Sequence, residues 1–220
     1  RREFYLLYHP KIDLHTGKVE GIEALIRWNH PERGMIPPDY FIPHIEQTAM
    51  IGVVTEWVLK TALTDLKKMQ LQGIDINVSV NIPLSILEHP RIVQVIKGYS
   101  EKSLPLDKLE FEVLERGSAE NLKTISIIIS ALKNFRIKFS LDDFGTGYST
   151  LSSIQNLPLD IIKIDRTFVK NLETNNENKE IVQSSINIGR ALDKKIVAEG
   201  VETKEELEIL KEMGCDYAQG

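Results

Sequence analysis

From Met50 onward the chain alternates short apolar runs with longer segments of helical periodicity, and this alternation limits its possible folds more than any other feature. Met50 to Gln72 sets Ile51, Val54, Trp57, Val58, Ala62, Leu66 and Met69 at helical spacing, and Gly73 follows as a C-terminal cap. Ile76 to Asn81 reads as a strand, Pro90 to Glu101 as a helix, and Lys108 to Glu115 as the next strand. Leu122, Ile125, Ile129 and Leu132 share one side of a helix; Ile137 to Asp142 is then a strand, a short helix follows, and Ile161 to Ile164 is another strand. Ile181 to Leu192 predicts a helix and Lys195 to Ala198 a strand. Thr203-x-x-Glu206 is a capping box opening a helix that ends at Met213-Gly214, before a last short strand reaching Gln219.

The start is different. Phe4 to Leu14 and Val19 to Arg27 are extended segments joined by His15-Thr16-Gly17-Lys18, a hairpin-type connection, so the first pair is predicted antiparallel. Strands that alternate with helices of ten or more residues build βαβ units around a parallel sheet. Counting from Val19 gives seven such strands, plus the opening one. Eight strands in one domain predict an α/β fold, a modified (β/α)8 TIM-type barrel with an antiparallel first strand. No G-x-G-x-x-G follows the first strand, which argues against a dinucleotide fold. Asn171 to Asn178 reads as a solvated loop, so residues 1–220 form a single domain. Beginning just before one apolar strand and ending just after another, it is expected to be a fragment of a longer chain.

Composition bounds the partners. No apolar run approaches the 18 or more residues of a membrane span. A net charge of -5 with both signs interspersed argues against DNA or a membrane surface as a partner. The one cysteine, Cys215, reads as a buried structural thiol, and the five histidines show no zinc-ligand spacing.

Chemistry concentrates where the strands end. In a barrel of this type the site lies at the C-terminal ends of the strands. Those ends carry Glu23, Asn81, Glu112 and Glu115, Asp142 and Asp143, Lys163, Glu199 and Glu202, and Gln219. Asp142 and Asp143 precede Gly145-Thr146-Gly147, and two adjacent carboxylates either cap the turn or need a cation to stay ionised. Glu23 is flanked by apolar residues, where an unpaired carboxylate costs several kcal/mol. Lys163, in the apolar Ile161-Ile162-Lys163-Ile164, needs a carboxylate or phosphate partner; a salt bridge inside the barrel answers equally well. All-oxygen ligation suits Mg²⁺ or Mn²⁺ rather than zinc or copper, and a pair of such ions suits phosphate-ester hydrolysis.

These strings resemble the EAL-domain family of cyclic di-GMP-specific phosphodiesterases. Glu23-Ala24-Leu25-Ile26-Arg27-Trp28 matches the naming motif, followed by His30-Pro31-Glu32-Arg33-Gly34, Phe41-Ile42-Pro43 and Val80-Asn81. Asp142 to Ser149, Lys163-Ile164-Asp165-Arg166, Ala198 to Thr203 and Gly214-Cys215-Asp216 through Gln219-Gly220 complete the likeness. The resemblance implies hydrolysis of cyclic di-GMP to linear pGpG in bacterial second-messenger signalling, with two Mg²⁺ or Mn²⁺ ions per site and Ca²⁺ inhibiting. Glu23, Asn81, Glu112 and Asp142 would bind one metal, Asp142 and Asp143 the second. Lys163 and Glu199 would position and activate the attacking water, with Glu202 a further candidate for supporting work. Arg27 would hold a substrate phosphate, with His9 and Gln219 also on the substrate side, Gln219 supporting the water around the metal. Glu115 would hold the mobile loop of Asp143 to Thr150, which couples metal binding to dimer contacts.

The family also implies a homodimer, an upstream sensor or GGDEF-type domain, and a cytoplasmic setting, either free or as part of a membrane-anchored protein. The family continues into a Tyr-Leu-Phe segment and a final helix, so the chain is expected to lack that last strand-helix segment. His9 stands where the family usually has Gln, Pro83 replaces a small residue, and Leu114 replaces Thr in Glu-x-Thr-Glu. None removes a ligand, so catalysis is expected to survive. The alternatives are a non-catalytic cyclic di-GMP receptor, which loss of Glu23, Asp142 or Glu199 would favour, and an unrelated Mg²⁺-dependent barrel lyase.

Overall fold

The structure is a computed structural model describing residues 3–114, 119–146 and 157–220, with the backbone alone described at 119–121. Glu115, Gly147 to Thr150 and the short helix expected before Ile161 lie outside the described residues. The opening hairpin pairs β1 (Phe4–Asp13) with β2 (Val19–His30) in register from Phe4↔Trp28 to Ile12↔Val19. Its turn is set by Asp13, whose carboxylate accepts from the backbone N–H groups of His15 and Thr16 at 2.8 Å each, and by Gly17 at φ 68°.

The far end of β2 folds back on β3 (Gly34–Ile36), and α1 (Pro38–Glu46) and α2 (Met50–Leu71) follow. Neither β3 nor α1 was expected. Pro38 begins α1, where a missing N–H costs nothing. Next come β4 (Asn77–Asn81), α3 (Leu84–Leu87), α4 (Arg91–Glu101), β5 (Leu109–Leu114), α5 (Ala119–Lys133) and β6 (Lys138–Phe144). The chain ends through β7 (Ile161–Ile164), α6 (Arg166–Val169), α7 (Asn176–Ala191), β8 (Lys195–Glu199), α8 (Lys204–Glu212) and β9 (Tyr217–Gln219). The helix expected from Ile181 begins earlier. Asn175 caps it by accepting from Asn178 N–H, so part of the presumed loop is its polar first turn. The Thr203–Glu206 capping box forms as predicted.

Among the described residues the strands close in the order β1-β2-β4-β5-β6-β7-β8-β9-β1, with β3 outside the ring. Seven are mutually parallel and β1 runs antiparallel to both neighbours, the barrel expected from the strand count. Alternation along each strand then divides the core. On β5, Leu109, Phe111 and Val113 face the helices, and Phe111 meets Phe139 of β6 edge-on at 5.5 Å. Glu110 and Glu112 face the lumen between them. Trp28 and Trp57 pack with Phe4 at 5.6 and 6.1 Å, Trp28 also against Phe41 at 5.4 Å, and so belong to an aromatic cluster rather than a base-stacking platform. Cys215 is buried beneath β8, and burial pushes its thiol up to about 12, which keeps it unreactive.

Candidate active site

The lumen-facing residue nearest the C-terminal end of each strand is polar, and the barrel brings these together. Lys163 on β7 is the centre of the group, 1% exposed. Its ammonium lies 2.6 Å from Glu112 Oε2 on β5 and 2.6 Å from Glu199 Oε1 on β8. Asp142 Oδ1 lies 3.1 Å away, close enough for charge attraction but off the hydrogen-bonding direction, and it has no hydrogen-bond partner among the described residues. On the other side of the lumen Glu23 of β2 takes Asn81 Nδ2 on Oε1 at 2.8 Å and Gln219 Nε2 on Oε2 at 2.6 Å.

Adjacent residues of a regular strand point to opposite faces, so Asp142 and Asp143 should diverge. They do not, because β6 bulges against β7. Leu141 pairs with Ile162 and Phe144 with Ile164, leaving two residues opposite one. Asp143 absorbs the extra residue at φ 56°, a strained conformation for a non-glycine residue and one concentrated at functional sites. Gly145 follows at φ 102°, where a Cβ would lie 2.7 Å from Phe168. The outcome is that carboxylate oxygens of Asp142, Asp143 and Glu199 all lie within 4.8 Å of one another.

Charge does not balance here. Burial, with the charge of Glu112, pushes Glu23 up to about 7. Burial likewise raises Glu199 to about 8 and Asp142 to about 6, against the partial relief that Lys163 supplies. Glu112 is fully buried, yet the charge of Lys163 and hydrogen bonds from Lys163 and Ser79 outweigh that burial and hold it below the usual range. The carboxylates in turn overcome burial and hold Lys163 well above an ordinary lysine. One ammonium cannot neutralise this many carboxylates. The unsatisfied Asp142 oxygen, the raised carboxylates and the oxygen-only donor set fit hard divalent cations. Asn81 gives its amide nitrogen to Glu23, which leaves its side-chain oxygen as the atom it can offer a cation.

Of the residues singled out in the sequence, Glu112, Asp142, Lys163 and Glu199 meet directly, Asp143 joins through the bulge, and Asn81, Glu23, Gln219 and His9 form a connected chain. Glu202 is exposed on the loop after β8, its N–H donating to Glu206 Oε2 at 2.9 Å. Arg27 lies in a cavity of about 850 Å³ that opens beside the cluster, lined also by Asn81, Glu112, Leu114, Pro83, Ile42 and Arg166. Pro83 fits without strain, at φ -60° as the residue preceding α3. Arg166 was given no role in the sequence reading, although Lys163-Ile164-Asp165-Arg166 contains it. A second arginine just past a strand end was the available signal.

Fold and site together define a closed (β/α)8-type barrel carrying an acidic centre suited to divalent cations, beside a cavity with two arginines. Comparison with known proteins then specifies the family: the EAL domain family matches residues 1–220, and the chain belongs to it. NbdA of Pseudomonas aeruginosa, named a cyclic di-GMP phosphodiesterase, is 37% identical over 217 residues, 98% of this chain and 28% of its own length. MucR of the same organism, named a bifunctional diguanylate cyclase/cyclic di-GMP phosphodiesterase, is 37% identical over 223 residues, 100% of this chain and 32% of its own. The chain therefore spans about 30% of the length of these curated relatives. The solved structure of the PaMucR phosphodiesterase in complex with c-di-GMP superposes with a TM-score of 0.91 at 37% identity, covering 100% of this chain and 90% of that one. The EAL domain of Mycobacterium smegmatis DcpA gives 0.81 at 32% identity, covering 98% and 87%.

Proposed function

We propose that this domain hydrolyses cyclic di-GMP to linear pGpG with Mg²⁺ or Mn²⁺, two ions per site. The observation that carries the reading is the Lys163 centre, with Glu112, Asp142 and Glu199 around one buried ammonium in a family whose relatives are named for this activity. When bound, the cations supply Lewis acidity and charge neutralisation at the scissile phosphodiester. Glu23, Asn81, Glu112, Asp142 and Asp143 are the residues that would hold them. Glu199, its carboxylate 2.6 Å from the Lys163 ammonium that orients it, is the residue that would take a proton from attacking water. Arg27 and Arg166, on the cavity wall, meet the phosphates. A volume of about 850 Å³ suits a ligand of dinucleotide size.

Around this core the reading adds a homodimer, an upstream sensor or GGDEF-type domain, Ca²⁺ inhibition and a cytoplasmic setting. No described helix is long and apolar enough to cross a membrane.

The test is a timed assay with cyclic di-GMP and Mg²⁺ or Mn²⁺, resolving pGpG by chromatography. Steady pGpG formation that Glu23→Ala or Ca²⁺ replacement abolishes is the expected result. Tight binding of cyclic di-GMP without turnover would instead make the domain a receptor.

A further inference from the structure

We propose that His9 is a positioning residue for the metal centre, acting through Gln219 on Glu23, rather than a contact for the nucleotide base; the inference rests on the metal-dependent reading above. Gln219 is 5% exposed, and its amide nitrogen lies 2.6 Å from Glu23 Oε2 and 3.0 Å from His9 Nδ1. An amide nitrogen carries two hydrogens and a carboxylate only accepts. One hydrogen goes to Glu23, the other to His9, so the ring accepts at Nδ1 and carries its own proton on Nε2. Two acceptors on the same amide nitrogen decide which way the amide faces. The reversed amide would set its oxygen against the Glu23 carboxylate.

The topology makes this link consequential. β1 is the one antiparallel strand, and its ladder with β9 consists of Ile12↔Ala218 and Asp13↔Tyr217. His9 lies rimward of that ladder, as does Gln219, so their hydrogen bond carries the barrel seam up to the level of the site. Glu23 pairs with His9 across β1 and β2 and is gripped at both oxygens, by Asn81 and by Gln219. Each oxygen still has a lone pair for a cation. Removing His9 takes away one of the two acceptors that fix the Gln219 amide, so Glu23, still bonded to Asn81 and Gln219, is held less rigidly.

Partners of this kind, which hold a metal ligand without touching the metal, typically change affinity by about 10–100-fold when removed. The test titrates Mn²⁺ alone into metal-free protein by calorimetry. His9→Ala is expected to weaken Mn²⁺ binding about tenfold. His9→Gln, whose amide oxygen also accepts from Gln219, should stay within about twofold of the unsubstituted protein on the same scale. Gln219→Met should reproduce the His9→Ala loss, and the double variant should add little to either, because one chain of bonds is cut in both. At saturating Mn²⁺, His9→Ala should keep its KM for cyclic di-GMP.

Unchanged Mn²⁺ affinity in His9→Ala, with a raised KM for cyclic di-GMP, would overturn the proposal and return His9 to the substrate. A His9→Gln variant as weak as His9→Ala would also overturn it. Failure of the metal-dependent reading itself looks different: the unsubstituted protein, like Glu23→Ala, would bind no Mn²⁺.

Discussion

Two buried lysines hold carboxylates inside this barrel, at opposite ends and in opposite proportions. At the floor, Lys11 of β1 reaches across the lumen to Glu110 of β5, Nζ to Oε2 at 2.8 Å, both side chains nearly inaccessible. Its stem packs on Gly21, where a Cβ would come within 3.2 Å of Lys11 Cε. There is one ammonium for one carboxylate. At the rim, Lys163 serves three carboxylates within 3.1 Å while Glu23 stands nearby. A one-to-one pair can be closed off inside a barrel. A centre with surplus carboxylate stays electrostatically unfinished, and that deficit is what recruits divalent cations.

The largest break in this contrast comes at the rim. Glu199→Gln keeps the shape and removes the proton acceptor, so kcat should fall by about 10²–10⁴-fold. The same change removes one surplus negative charge, so without metal at pH 8 the variant should melt above the unsubstituted protein. Turnover within tenfold of the unsubstituted protein would rule Glu199 out as the base.

The floor should respond in the reverse sense. Lys11→Met leaves Glu110 buried with no counter-charge and should cost about 3–5 kcal/mol in urea unfolding, whereas Lys11→Met with Glu110→Leu should recover most of it. Folded protein from the double variant should turn over cyclic di-GMP at the original rate. A fall in kcat there would mean the floor helps set the site.

Linkage to pH and metal separates the ends more finely. Glu23, Asp142 and Glu199 are raised to about 7, 6 and 8, so between the ordinary carboxylate range and pH 8 the folded state binds more protons than the unfolded. Stability without metal should therefore fall as pH rises through that window. Glu112 has the opposite sign, and its contribution disappears only as pH falls below the ordinary range. A bound cation needs ionised ligands, so Mn²⁺ at 100 times its pH 8 Kd should stabilise by about 2.7 kcal/mol at pH 8, and the same concentration should stabilise less at pH 5.5. Thermal melts in chelator and in Mn²⁺ at both pH values read this directly. A flat profile in chelator would show that the rim carboxylates do not titrate as their burial demands.

The rim was far more legible in the sequence than the floor, for a physical reason. Asp142-Asp143, the apolar frame around Lys163 and the Thr203 capping box are local patterns, and the hairpin at Gly17 is set by its own turn. Lys11 and Glu110 lie 99 residues apart in strands whose alternation explains each as an ordinary polar position. Their pairing depends on closure between β1 and β9, which no local pattern encodes. The strand ends put Glu199 and both aspartates on one rim, but the β6 bulge that turns Asp143 to the same side as Asp142 has no signature in the sequence. His9 drew notice as a departure, but its partner came only with the seam.

The smallest expected effect contrasts two buried serines either side of Glu112. Ser79 on β4 hydrogen-bonds that carboxylate. Ser140 on β6, opposite Glu112 in the register, is 0% exposed and its hydroxyl has no hydrogen-bond partner among the described residues. Ser79→Ala removes a bond to a charged group and should cost about 1.5–3 kcal/mol, while Ser140→Ala removes an unsatisfied hydroxyl and should be neutral or stabilising by about 1 kcal/mol. Urea unfolding in chelator compares them directly. Equal losses would mean that Ser140 is bonded through water, and the charge centre would then extend towards the floor, where Glu110 Oε1 is likewise unpartnered, instead of ending at Glu112.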